Sequence, residues 1–153
     1  MNIAQLLTPK VCTTFLHDTN TVRQGLETLL RHGYTALPVL DEEENYLGSV
    51  SEGDILQYMM ARGTTSLKKM ERALIMEIYR ADRYKPLNIR ATEQEITGAM
   101  MQQNFVPIVD DRGCFCGIVT RSTFMEVLAQ ECGYSSADGS EALAPEMQVP
   151  VLC

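Results

Sequence analysis

Apolar and polar positions alternate along this chain in short runs, each closed by turn or cap chemistry. Pro9 biases Thr8 away from helix, and Val11 to Leu16 (VCTTFL) predicts a short strand, with Thr13 and Thr14 suited to a pleated surface. His17 to Thr21 is turn and cap chemistry. Val22, Leu26, Leu29 and Leu30 then share helical spacing up to His32, and Gly33 supplies the stop. Tyr34 to Leu40 predicts a strand, Asp41 to Asn45 an acidic turn, and Tyr46 to Val50 the returning strand of a hairpin. Ser51 starts a helix with Ile55, Leu56, Met59 and Met60 on its apolar side, ending near Gly63. The unit is β-α-β-β-α.

A connecting helix is expected from Ser66 to Tyr79, because Leu67, Met70, Leu74 and Ile78 form one stripe. The pattern then repeats. Leu87 to Ile89 is a strand, Thr92 opens a helix, and Phe105 to Val109 and Cys114 to Val119 form a hairpin around Asp110 to Gly113. Thr120 opens the closing helix with Phe124, Val127 and Leu128. Pro38 and Pro107, Asp41 and Asp110, and Gly48 and Gly117 match at one offset. Each unit is too small to cover its own hairpin, so the two are expected to pack sheet against sheet and share a core. The fold class is α/β (α+β), with repeat one at 1–63, a connecting helix and linker at 64–84, repeat two at 85–132 and a flexible tail at 133–153.

Length and composition fit this reading. A chain of 153 residues, 45% hydrophobic and 22% charged, can bury one shared core. It holds no run of about 18 apolar residues, so no membrane insertion is expected. The first residues lack the basic start of a secretory leader. Five cysteines at irregular spacings, with Cys114-Phe115-Cys116 as C-x-C, suit reduced core or edge thiols in a cytoplasmic protein. His17 and His32 have no partner at metal-ligand spacing. The net charge of −7 argues against nucleic-acid binding. Residues 63–90 depart from it, with seven Lys and Arg against three acidic residues. That run suits phosphates, an acidic partner or simply a solvated face.

The chemistry concentrates at Gly48-Ser49-Val50-Ser51-Glu52-Gly53-Asp54, a strand end turning into a helix. Ser51 with Asp54 three residues later is a capping box that any helix start can use. The same stretch also offers a hydroxyl and fresh helix N–H groups to a phosphate, and a carboxylate to a ribose diol. Its recurrence at Gly117 to Thr123 favours the second reading. No paired carboxylates and no nucleophile–base pair stand out, so catalysis is not expected.

The strands Leu37-Pro38-Val39-Leu40-Asp41 and Val106-Pro107-Ile108-Val109-Asp110, each followed by G-x-V-S/T at a helix start, resemble the CBS domain family. Residues 7–131 look like a tandem pair, opened by Leu7-Thr8-Pro9-Lys10. The segments from Gly33, Phe105 and Gly117 are similar to bacterial stand-alone CBS proteins that bind cyclic di-AMP. The resemblance implies a pseudo-two-fold pair that homodimerises, binds an adenine nucleotide (AMP, ADP, ATP or cyclic di-AMP) without a catalytic cofactor, and signals to a partner protein. The alternative is an interaction adaptor with vestigial sites.

Carried over residue by residue, Ser51 takes the phosphate-hydroxyl position and Asp54 the ribose position. In repeat two Thr120 fills the first, but Thr123 stands where the family has Asp, without a carboxylate for the diol. Arg121 follows the second cap and offers a bidentate fork to phosphate. Adenine contacts in the family come largely from backbone at strand starts, here Val11, Cys12, Tyr34, Thr35 and Ala36, and Lys85, Pro86, Phe105 and Val106. Tyr34 is balanced between stacking on a ring and packing.

Overall fold

The computed structural model describes residues 1–134. It contains α1 (Ile3–Leu6), β1 (Thr8–Pro9), β2 (Leu16–His17), α2 (Val22–His32), β3 (Ala36–Leu40), β4 (Tyr46–Ser51) and α3 (Glu52–Arg62). There follow α4 (Leu67–Met70), β5 (Leu87–Asn88), α5 (Glu93–Gln102), β6 (Phe105–Val109), β7 (Phe115–Thr120) and α6 (Arg121–Glu131). The tail expected at 133–153 lies, apart from Gly133 and Tyr134, outside the described residues.

Two sheets form, one ordered β2-β3-β4 and the other β1-β7-β6-β5. In each, a parallel strand flanks an antiparallel hairpin whose registers correspond, Leu37 opposite Val50 and Val106 opposite Val119. Each hairpin has its irregularity at the same place, between Val39 and Leu40 and between Ile108 and Val109. Asp41 explains the matched turns: its Oδ1 accepts the N–H groups of Glu43 and Asn45, as Asp110 Oδ1 does for Arg112 and Cys114. The two sheets share a core. Phe105, Phe115 and Ile118 of the second half pack with Leu37, Val39 and Val50 of the first.

The leading segment crosses to the other half. Thr8 and Pro9 pair with Ile118 and Gly117 of β7, and Ile3 and Leu6 join the core of Ile96, Val106, Val119 and Phe124. The linker crosses back, with Ser49 and Arg80 exchanging backbone hydrogen bonds of 3.0 and 2.8 Å. Both crossings need glycine beneath them. A Cβ on Gly117 would stand 2.1 Å from the Thr8 carbonyl oxygen, and one on Gly48 would stand 2.4 Å from that of Arg80.

Two expected elements differ. Val11 to Leu16 is not a strand: Lys10–Cys12 is a 3-10 turn closed by Thr13, and only Leu16–His17 pairs with β3. Val11 is 92% exposed. The connecting helix is only the four residues of α4, followed by a 3-10 turn at Ile75–Glu77. The linker backbone is drawn into the first repeat instead. Ala73 accepts from the Val22 N–H, while the Ile75 and Met76 N–H groups reach Asn20 and Asp18. Those bonds compete with an i to i−4 ladder, and they leave Ile75 fully buried against Gly25.

Candidate functional site

Each candidate grip is a strand end that becomes a helix cap. Ser51 is in extended backbone at the end of β4, and its hydroxyl accepts the Asp54 N–H at 3.2 Å. Asp54 Oδ2 returns to the Ser51 N–H and the Ser51 hydroxyl, both at 2.8 Å. In the second half the Thr120 hydroxyl accepts the Thr123 N–H at 3.2 Å and lies 3.0 Å from the Thr123 hydroxyl. Two further bonds seat the caps identically. The Glu52 N–H donates to the Thr35 carbonyl and the Arg121 N–H to the Asn104 carbonyl, both at 2.9 Å.

Charge separates the halves. The Asp54 side chain is only 3% exposed, and an anion buried so far needs donors and a counter-charge. Arg83 supplies the counter-charge from the linker, its Nη1 lying 2.8 Å from Ser51 Oγ and 3.2 Å from Asp54 Oδ2. The sequence reading offered Arg121, after the second cap, as a fork for phosphate. Arg121 instead donates through Nε and Nη2 to the carbonyls of Met100 and Gln103 at the end of α5. Thr120 and Thr123 have no such ion pair.

Arg83 opens onto a cleft of about 310 Å³ between the linker and the α5–β6 turn, lined also by Tyr84, Lys85, Gln103 and Asn104. Gln103 clamps its two walls. Its amide accepts the Lys85 N–H and donates to the carbonyls of Lys85 and Phe105. Tyr84 sits in the left-handed region at φ 53°, a strained conformation for a bulky residue. Its ring stacks on Phe105 with centroids 4.2 Å apart, and its carbonyl accepts the Tyr46 hydroxyl at 2.7 Å. Burial pushes the Tyr46 phenol above its ordinary pKa, so it stays a donor.

The remaining expected residues fall into two groups. Tyr34 stacks on His32, with centroids 5.2 Å apart, while Ala36 is buried and paired with Ser51. Phe105 and Val106 are buried, and Val106 belongs to the second core. Val11, Cys12 and Pro86 are exposed, as is Lys85. Sequence reasoning missed Arg83, which shares a polar stretch with Arg80 and Asp82 and carries no motif.

Among the described residues, no group of His, Cys, Asp and Glu is arranged to hold a metal ion. No described helix is long and apolar enough to cross a membrane. Cys12, Cys114, Cys116 and Cys132 are free thiols.

Comparison with known proteins places this architecture. Cyclic di-AMP receptor B of Bacillus subtilis (strain 168) is 26% identical over 109 residues, 71% of this chain and 74% of its own length. The crystal structure of CbpB in complex with c-di-AMP superposes with a TM-score of 0.79 at 24% identity, covering 87% of each chain. That of CBSX2 in complex with AMP gives a TM-score of 0.70 at 20% identity, covering 86% of this chain and 98% of the other. The sequence model of the CBS domain matches residues 4–61 and 93–130, more than half of the chain. With two β-α-β-β-α units around one pseudo-two-fold core, this protein belongs to the CBS domain family as a tandem pair.

Proposed function

We propose that this CBS pair is a regulatory module that binds an adenine nucleotide in the cleft between its repeats and signals occupancy to a partner protein. Cyclic di-AMP and AMP are the leading ligands, since relatives are named for binding the first or solved with each. The observation that carries the reading is the cluster of Ser51, Asp54 and Arg83, which puts a hydroxyl, a buried carboxylate and a guanidinium at one helix start.

Asp54 would accept the ribose hydroxyls, while Ser51 and Arg83 would face the phosphate. The backbone around Thr35 and Ala36, and around Lys85 and Phe105, would frame the base. Thr120 and Thr123, lacking a carboxylate, would hold a second ribose more weakly. Binding alone accounts for these groups, so the reading is a sensor rather than an enzyme. It is taken to work as a homodimer in the cytoplasm.

The test is calorimetric titration of cyclic di-AMP, AMP and ATP onto the wild type, Asp54→Ala and Arg83→Gln. At least one nucleotide should bind the wild type and bind each variant tenfold or more weakly. Affinity unchanged by both substitutions would remove this assignment, and no binding by any nucleotide would favour the adaptor reading.

A further inference from the structure

A second concave site lies at the other end of α3, about 16 Å along the helix from Ser51 at 1.5 Å per residue. It is a cleft of about 370 Å³ lined by Tyr58, Arg62, Thr64, Lys69, Arg72 and Glu77. Three of these carry positive charge in a chain whose net charge is −7. Six other cations, Lys10, Arg23, Arg80, Arg83, Arg90 and Arg112, each pair with a carboxylate. Arg121 bonds to backbone carbonyls. Among the described residues, Arg62, Lys69 and Arg72 have no ion pair. Arg31, Lys68 and Lys85, among the same described residues, are also unpaired but line no cleft with a second unpaired cation.

Of the two nearby carboxylates, Glu71 is held elsewhere and Glu77 lines the cleft while bonded to backbone. Glu71, between Lys69 and Arg72 in sequence, is bonded to Arg23 of α2. Glu77 is tied to the Leu74 N–H at 2.6 Å. Arg62 lies 5.6 Å from the Tyr58 ring centroid, a cation–π contact that fixes its plane without neutralising it. The pattern is not inherited from the repeat. One repeat further on, the position equivalent to Arg62 is Glu131, which pairs with the amino-terminus. Arg62 also suits the carboxyl end of α3, but Arg72 lies outside any helix. Three cations against the one carboxylate of Glu77 leave the concavity with an excess of positive charge, which an anion placed there would offset.

We infer that this cleft is a ligand site separate from the nucleotide grip, built for a compact anion bearing phosphate groups. Two guanidinium forks and an ammonium match phosphate oxygens better than they match one carboxylate, and the volume suits a small molecule. The inference stands whether or not the first cleft binds nucleotide.

Pyrophosphate is the probe, titrated calorimetrically at physiological ionic strength, where loose surface attraction is screened. The protein is compared as wild type, as the Lys69→Gln/Arg72→Gln double variant and as Arg83→Gln. Both substituted positions of the double variant are exposed, so its fold should persist, which circular dichroism checks. One pyrophosphate site should appear in the wild type, weaken at least tenfold in the double variant and remain in Arg83→Gln. Absence of binding to wild type, or binding lost with Arg83→Gln and kept in the double variant, would overturn the inference. So would capture of a glutamate-rich peptide by a protein that ignores pyrophosphate, which would make the cleft a protein-docking surface.

Discussion

Asn45 and Cys114, equivalent residues of the two repeats 69 positions apart, face each other in an antiparallel bridge. The bonds around them are reciprocal: Tyr46 N–H to the Gly113 carbonyl at 3.2 Å, and Phe115 N–H to the Glu44 carbonyl at 2.9 Å. The pseudo-two-fold axis runs through this pair. Here the two hairpins are joined by backbone as well as by their shared core.

That geometry is a non-hydrogen-bonded pair, where Cα atoms stand about 4.5 Å apart, within disulfide reach. Asn45→Cys is therefore expected to oxidise with Cys114. Closing so long a loop should add about 2–4 kcal/mol to stability. The checks are the mass of the oxidised protein and a melting temperature that falls back on reduction.

Ser51→Ala removes the N-cap of α3 and one of the two groups that Arg83 contacts. Stability in urea should fall by about 1 kcal/mol. Thr120→Ala removes the equivalent cap and should cost a similar amount. Only the first substitution is expected to weaken nucleotide binding strongly, so paired denaturation and titration separate capping from recognition.

Gly48→Ala and Gly117→Ala each push a methyl into backbone, against Arg80 and Thr8 respectively. Neither neighbour is a side-chain tip that can rotate away. Each should lose about 1–3 kcal/mol, and Gly117→Ala should also loosen β1 from β7. Faster amide exchange on the β1–β7 ladder, compared with β3–β4, would show it.

Acid should weaken the hairpin turns. Backbone N–H groups, Asn45 first for Asp41 and Arg112 first for Asp110, hold both carboxyls below the ordinary carboxylate range. In the unfolded chain the same groups return to about 3.9. Their stabilisation is therefore complete above that value and is lost as pH falls through the lower folded values. Urea midpoints should drop between about pH 5 and pH 2, and less steeply in Asp41→Asn/Asp110→Asn.

The repeat was legible because its signals are local. Alternation marks the strands, and the turn aspartates and capping hydroxyls recur at one offset. The linker was not, because Leu67, Met70, Leu74 and Ile78 have helical spacing while the burial that decides its path belongs to Ala73 and Ile75. Those residues answer to backbone groups near Asn20, far away in sequence. Val11 to Leu16 misled for a related reason: threonines suit strands, but the crossing to β7 consumes the chain just before them. Ser51 and Asp54 were readable as a motif. Arg83 was not, since its role comes only from the linker's return across β4.

The crossed segments have a consequence for the molecule as an object. Like two clasped hands, each half is completed by a stretch of sequence belonging to the other, so no single cut yields two whole domains. A chain severed after Gly63 would leave β7 without the edge that Thr8 and Pro9 provide in cis, and would leave Ile75 outside the half it fills. The halves should regain structure only as a mixture. Anything that tugs on the first nine residues pulls directly on the second repeat, while a pull on the linker is felt at Asp54.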